Sequence, residues 1–257
     1  YDAWHSNALT ENKESYQQLF EVAPKVFGVS KDICQQLVKL GCSAEKVEYL
    51  PCFVDLERFS YVVRDFSEPN FLSIGRFCAT KAPFLTIMAF RKVVDKIPNA
   101  KLTMIGGDEN GVLETCQSLI KSLNLQDSIL IPGVLSPEEI NGYMQKASIF
   151  VQHSVTTPIT GDKEGTPVAI MEAMATGLPV ISTKHAGIAE MIENGVSGIL
   201  VDEYNSEQMT QEMIALIGDK QRMKSLGEQA SKSIHSNELL THHIERLTDK
   251  IETLIVR

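Results

Sequence analysis

With 257 residues, 43% of them apolar and 22% charged, the chain has the size and composition of a folded protein with a full core, which excludes wholesale disorder. Its 24 basic and 33 acidic side chains leave a net charge of −9, which argues against binding to a nucleic-acid backbone. No apolar run approaches the roughly 20 residues of a membrane-spanning helix.

The first residue is Tyr1, not Met, and the pattern opens midway through a unit, so a missing N-terminal part is expected. A helix is expected from about Glu11. Residues 25–29 and 46–50 read as strands flanking a helix over 30–40, which Gly41 stops. Two strands do not make a domain of this class, so residues 1–55 are read as the remnant of a preceding domain and 56–69 as a linker. From Asn70 onward, short apolar runs alternate with amphipathic ones. Residues 71–74, 102–105, 129–131, 149–151, 180–182 and 199–201 read as strands buried on both faces. Val112, Cys116, Leu119, Ile120 and Leu123 fall on one helix face. This alternation predicts an α/β fold, with residues 70–236 forming one complete Rossmann-like, doubly wound parallel sheet domain. In residues 237–257, Leu240, Ile244, Leu247, Ile251 and Leu254 make the stripe of a terminal helix, expected to pack on the missing domain. The adjacent His242 and His243 read as surface residues.

The odd set of cysteines (Cys34, Cys42, Cys52, Cys78 and Cys116) contains no Cys-x-x-Cys, which suggests reduced thiols in a cytoplasmic protein. No metal-ligand spacing joins the histidines. Two stretches carry chemistry instead. Gly75-Arg76-Phe77-Cys78-Ala79-Thr80-Lys81 follows the first strand of the complete domain, where open α/β sheets bind ligands. Gly75 allows a tight turn there. Arg76 and Lys81 set two cations side by side, matched to a diphosphate, although a solvated charge pair is the plainer reading.

The second stretch runs from Glu164 through Gly165, Thr166 and Pro167 to Glu172, Gly177 and Pro179. Thr166 suits a helix N-cap and Pro167 the first helical position, with Gly177 and Pro179 as stop signals. The N–H groups of Val168 and Ala169 then lie at a helix N-terminus, which attracts phosphate. Glu172, bracketed by Ile170, Met171, Ala173 and Met174, is an acid in an apolar setting that needs a partner. A pair of ribose hydroxyls would supply one.

The Glu-x7-Glu element ending in Glu172-Ala173-Met174-Ala175 resembles the signature of the family-four retaining glycosyltransferases, group 1, which have the GT-B fold. Gly75 to Lys81 is similar to that family's diphosphate loop, and Met104-Ile105-Gly106-Gly107-Asp108 to its second glycine-rich turn. Ala186-Gly187-Ile188-Ala189-Glu190 and Asn194-Gly195-Val196-Ser197-Gly198 resemble its later tract. Residues 152–162 are closest to the bacterial exopolysaccharide and colanic-acid branch.

The resemblance spans roughly residues 22–230. It implies an enzyme, a hexosyltransferase-like retaining transferase of polysaccharide biosynthesis that moves sugar from a nucleotide-sugar such as a UDP- or GDP-sugar. The implied acceptor is a saccharide or lipid-linked saccharide, with no metal required, in the cytoplasm or at the inner face of the membrane. Peripheral association would run through the missing acceptor-side domain. Arg76 and Lys81 would neutralise the donor diphosphate with Val168 and Ala169, while Glu172 holds the ribose. Glu164 would contact donor-sugar hydroxyls beside Gly165 and Thr166, and the backbone at Gly133 and Val134 would read the base. Ala82, Ala186 and Ala189 depart from the family's glycine, glycine and proline. Tyr1-Asp2-Ala3 resembles the residues just after the family's acceptor-side His-Gly, and His5 does not stand in for that histidine.

An NAD-dependent oxidoreductase would need Gly-x-Gly-x-x-Gly after the first strand, where this chain has one glycine followed by Arg76. A GT-B nucleotide-sugar epimerase lacks the Glu-x7-Glu context. A donor-binding module, inactive without the missing half, is the remaining alternative.

Overall fold

The apolar runs become the strands of one parallel sheet; residues 149–151, 180–183 and 199–201 are buried on both faces, whereas the run 129–133 lies at the sheet edge and leaves Leu130 53% exposed, against expectation. The computed structural model describes residues 12–237 and 243–255; Tyr1, Asp2, Ala3, His5, Glu11, Leu240 and His242 fall outside them. Strands β3 (Asn70–Ile74), β4 (Lys101–Ile105), β5 (Ile129–Gly133), β6 (Ile149–Val151), β7 (Val180–Thr183) and β8 (Ile199–Val201) lie in the order β5-β4-β3-β6-β7-β8. Every pairing is parallel.

Successive side chains alternate between two cores, as the period of a strand requires. Phe71, Ile149, Ile181 and Ile199 enter one core with α3 (Pro83–Lys96), α4 (Val112–Ser122) and α8 (Ser206–Ile217). Leu72, Phe150, Val180 and Leu200 enter the other, with α5 (Pro137–Lys146), α6 (Val168–Ala175) and α7 (Ile188–Met191). A further helix, α9 (Lys220–His235), contributes to both cores: Met223 and Leu226 to the first, Ala230 and Ile234 to the second. The helix after β3 therefore covers one face and the helix after β6 the opposite face. That reversal opens a crevice at the carboxyl ends of β3 and β6, the ligand position of open α/β sheets.

Before this sheet, α1 (Lys13–Val22) precedes a parallel pair, β1 (Val26–Gly28) and β2 (Val47–Tyr49), joined through α2 (Lys31–Lys39). Ser30 caps α2, its hydroxyl accepting from the Ile33 N–H at 3.1 Å. The Glu190 carboxylate comes from α7 to accept from the Lys31 and Asp32 N–H groups at 2.9 and 3.1 Å. A carboxylate suits that helix end, where unpaired donors and the positive end of the dipole meet. The final helix, α10 (His243–Ile255), lies against the same unit. Its Lys250 pairs with Glu48, and His243 stacks on Phe53 at the surface, half-buried, with ring centroids 5.4 Å apart.

Arg64 pins the connecting segment. Its guanidinium donates to the carbonyls of Val62 (3.0 Å), Thr176 (2.5 Å) and Met144 (3.0 Å), and to the Thr176 hydroxyl (3.1 Å). It thereby closes the carboxyl end of α6 and ties it to α5. Burial lowers its pKa to about 10, which leaves it charged at neutral pH. Arg64→Ala strands the Val62 and Met144 carbonyls, while the Thr176 carbonyl keeps the Val62 N–H, and a loss of about 2–4 kcal/mol of stability is expected by urea denaturation. A loss below about half a kcal/mol would show that the carbonyls find water.

Candidate functional site

The loop after β3 is built against the loop after β4. Gly75 N–H donates to the Ile105 carbonyl at 2.9 Å, and Phe77 N–H to the Gly107 carbonyl at 2.8 Å. Glycine is required sterically at Gly106, and at Gly75 a side chain would displace the lysine stem. A Cβ on Gly106 would lie 2.0 Å from the Gly75 carbonyl oxygen, and one on Gly75 would lie 2.5 Å from the Lys81 side chain. Gly75 thus serves to let the lysine stem cross over the backbone, in addition to shaping the turn expected of it.

That crossing delivers the Lys81 ammonium to the Glu164 carboxylate at 2.7 Å, with both side chains largely buried. Arg76, 65% exposed, pairs with Glu109 of the neighbouring loop. The two cations share one rim of the crevice, and each already has a carboxylate partner that the sequence did not reveal. Ala82, just beyond, adopts a left-handed conformation (φ 37°), as does Ala186 (φ 36°). Both positions take a left-handed backbone that favours glycine while carrying a methyl group, at a cost of about 1–2 kcal/mol each.

The helix signals after β6 need one correction. Helix α6 begins at Val168, with Pro167 as an extended N-cap (φ −71°, ψ 108°), and Thr166 does not cap it. The Thr166 hydroxyl instead donates to the Val29 carbonyl at 2.7 Å, a partner 137 residues away that local pattern cannot supply. The tight approach here also fixes residue size: a Cβ on Gly187 would lie 2.1 Å from the Gly165 carbonyl oxygen. Val168 and Ala169 still occupy the first turn of α6, where N–H groups lack helical acceptors. At the other end, Gly177 takes φ +73° and closes the helix, as expected.

Glu172 lies one turn inside α6, half-buried. Burial pushes its carboxyl up to about 7, partly offset by the Arg58 charge. It makes no hydrogen bond or ion pair among the described residues. Gly133 (φ +87°) ends β5, and its carbonyl accepts from the Gly106 N–H at 3.0 Å; Val134 beside it is 77% exposed. Along the carboxyl edge of the sheet, the β5 turn is therefore followed by the glycine turn after β4, the cation loop after β3, and Glu164 beyond β6.

Sequence reasoning missed what surrounds Glu164. Its N–H donates to His185 Nε2 at 2.9 Å, and His185 Nδ1 meets a Glu203 carboxylate oxygen at 2.6 Å. It also missed a cleft of ≈590 Å³ lined by Arg76, Thr80, Phe84, Glu109, Glu164 and Tyr204 among others. The available signal was position: His185 and Glu203 each follow a strand, β7 and β8, at the edge where ligands bind. Among the described residues, no group of three or more His, Cys, Asp or Glu side chains is arranged to hold a metal. No described helix is long and apolar enough to cross a membrane.

The model of a family described as "Glycosyl transferases group 1" matches residues 62–233. The amylovoran biosynthesis glycosyltransferase AmsK of Erwinia amylovora is 34% identical over 218 residues, covering 84% of this chain and 53% of AmsK. WcaL of Escherichia coli, named for colanic acid biosynthesis, is 34% identical over 210 residues, covering 80% of this chain and 51% of its own. The chain thus spans about half the length of these relatives. Among solved structures, Anabaena HepE, in complex with UDP and glucose, superimposes with a TM-score of 0.83 at 18% identity, covering 95% of this chain and 67% of HepE. Sucrose-phosphate synthase of Thermosynechococcus elongatus gives 0.80 at 18% identity, covering 100% and 67%. These two likenesses establish the fold, and the expected GT-B type α/β architecture is the one found.

Proposed function

The chain belongs to the group 1 glycosyl transferases, and on that premise we propose that its whole protein transfers a sugar from a nucleotide-diphosphate sugar, with retention of configuration, to a saccharide or lipid-linked saccharide in polysaccharide biosynthesis. The observation that carries this reading is the Lys81–Glu164 pair at the switch-point crevice, with Arg76 on its rim and the α6 N-terminus nearby. Negative charge grows on the departing diphosphate in such a transfer. Arg76, Lys81 and the N–H groups of Val168 and Ala169 meet it with donors already in place, and fixed donors of this kind stabilise a transition state most. As Lys81 turns to phosphate, Glu164 is released to the hydroxyls of the donor sugar beside Gly165 and Thr166. Glu172 takes the ribose hydroxyls, and Gly133 and Val134 face the base. No step in this scheme calls on a metal. A lipid-linked acceptor would bring the protein to the inner face of the membrane as a peripheral partner.

Because the chain spans about half of its relatives, donor binding is the property it is expected to show by itself, and transfer belongs to the whole protein. UDP and UDP-glucose are the first ligands to try, since HepE holds UDP and glucose; GDP and ADP complete the set. A ligand at about 100 times its dissociation constant adds about 2.7 kcal/mol of stability, readily seen as a thermal shift. One diphosphate should shift the melt while its bare nucleoside does not. Equal shifts for diphosphate and nucleoside, or none for any, would remove the donor-site reading.

A further inference from the structure

The segment between β6 and α6 must carry Glu164 across the crevice without a secondary structure of its own. Its tip is closed by short local bonds: Thr157 N–H to the Asp162 carbonyl (2.9 Å), Gly161 N–H to the Thr157 carbonyl (2.9 Å), and the Thr160 hydroxyl to the Asp162 carboxylate (2.6 Å). Ile159 at the tip is 97% exposed. Both bases of the tip are held by one hydrogen-bonded unit reaching from the far strands. A Glu203 oxygen accepts from the Thr156 N–H at 2.7 Å, and Tyr204 donates to the Thr156 carbonyl. The other Glu203 oxygen meets His185 Nδ1 at 2.6 Å, and His185 Nε2 accepts from the Glu164 N–H at 2.9 Å.

Chemistry fixes the direction of these bonds. A backbone amide can only donate, so Nε2 must present its lone pair. Nδ1 then carries the proton and donates to Glu203. The His185 side chain is completely shielded from solvent, so no water competes for either nitrogen. We propose that Glu203 and His185 are positioning residues that hold the backbone of Glu164, so that its carboxylate is presented to Lys81 and, in turn, to the donor sugar. The last clause rests on the role given to Glu164 above; the mechanical part does not. Glu203 serves as a single staple joining the entry of the loop, at Thr156, to its exit, at Glu164. A carboxylate and an imidazole thus tie the loop's two ends together.

Amide exchange and nitrogen NMR on this chain test the staple without any ligand. In the unaltered protein His185 should show the Nδ1–H form, and the Thr156 and Glu164 amides should be protected. His185→Ala should speed exchange at Glu164 by about fivefold while Thr156 stays protected, and Glu203→Ala should speed both, since each releases bonds of about 1 kcal/mol. His185→Gln, which can still accept on one side and donate on the other, should restore most of the protection. An Nε2–H tautomer, or faster exchange at Thr156 but not at Glu164 in Glu203→Ala, would overturn the staple. Should His185→Ala fail to fold, Glu203→Ala carries the same comparison from a partly exposed position.

Titration with UDP and UDP-glucose then reads the functional link. The preference for UDP-glucose over UDP should fall about tenfold in His185→Ala and recover in His185→Gln. Glu164→Gln is the control that separates the two ideas. If it leaves that preference unchanged, the role given to Glu164 fails while the exchange data still judge the staple. If it abolishes the preference and His185→Ala does not touch it, the staple has no part in donor recognition.

Discussion

Glu172→Gln is expected to make the ligand-free chain more stable at pH 8 and a poorer binder of ribonucleotide at the same pH. The carboxyl sits among apolar side chains with its pKa pushed up from 4.5 to about 7 by burial, the Arg58 charge offsetting part of that. Between those values the folded chain keeps a proton that the unfolded chain has released. The stability that the neutral acid allows is complete below pH 4.5 and is lost as pH rises through about 7. A tenfold change in proton affinity corresponds to about 1.4 kcal/mol, so for a half-buried group glutamine should recover on the order of 2 kcal/mol at pH 8 and almost nothing at pH 4. Melting curves of the two proteins should therefore converge in acid and part in alkali. Binding runs the other way, because two ribose hydroxyls need an anionic acceptor; the loss should be about tenfold or more at pH 8. A glutamine variant that binds UMP as tightly as the original would remove Glu172 from the ribose.

Lys81→Ala is expected to cost more diphosphate affinity than Arg76→Ala. Charge-assisted bonds contribute about 1.5–3 kcal/mol, or roughly 10- to 150-fold. The Lys81–Glu164 pair has side-chain exposures of 14% and 18%, whereas Arg76 is 65% exposed and screened by water. The lysine variant should lose the upper part of that range for UDP, with the arginine variant near its lower end and neither changing uridine binding. Lys81→Ala also leaves Glu164 as a shielded, unpaired anion, so the ligand-free melt should fall with it. Glu109→Gln should do the reverse for Arg76 and tighten UDP a few-fold, since a competitor for the guanidinium is removed. Calorimetric titration of both ligands checks the set. Matching losses for UDP and uridine would show that the lysine acts through the fold and not on phosphate.

The sheet was legible because strands buried on both sides must be almost wholly apolar. Residues 149–151 and 199–201 read as strands from that property, and they have those bounds. The helix stop at Gly177 was legible because a left-handed backbone favours glycine. The N-cap of α6 was not. Thr166 has a capping side chain, but the Val29 carbonyl outcompetes the helix amides for it, and that competition exists only after the two units meet. The carboxylate partners of Arg76 and Lys81 lie 33 and 83 residues away, and His185 and Glu203 converge from two strand ends. No spacing rule links such residues. The candidate site was thus legible where a helix terminus or a glycine turn defined it. It was opaque where charge pairing across the crevice did.

On the proposed donor site, those pairings would give the crevice a form of chelate selectivity. Arg76 and Lys81 each hold a carboxylate, so an anion that reaches only one of them exchanges one counter-charge for another and gains little. An anion with two linked phosphates would reach both, and its second displacement would proceed at the high local concentration that the linkage provides. Inorganic phosphate or chloride is then expected to compete weakly even in excess, and a nucleoside diphosphate strongly. Discrimination of this kind needs no contact with the base or the sugar; it comes from the two acids that occupy the cations first.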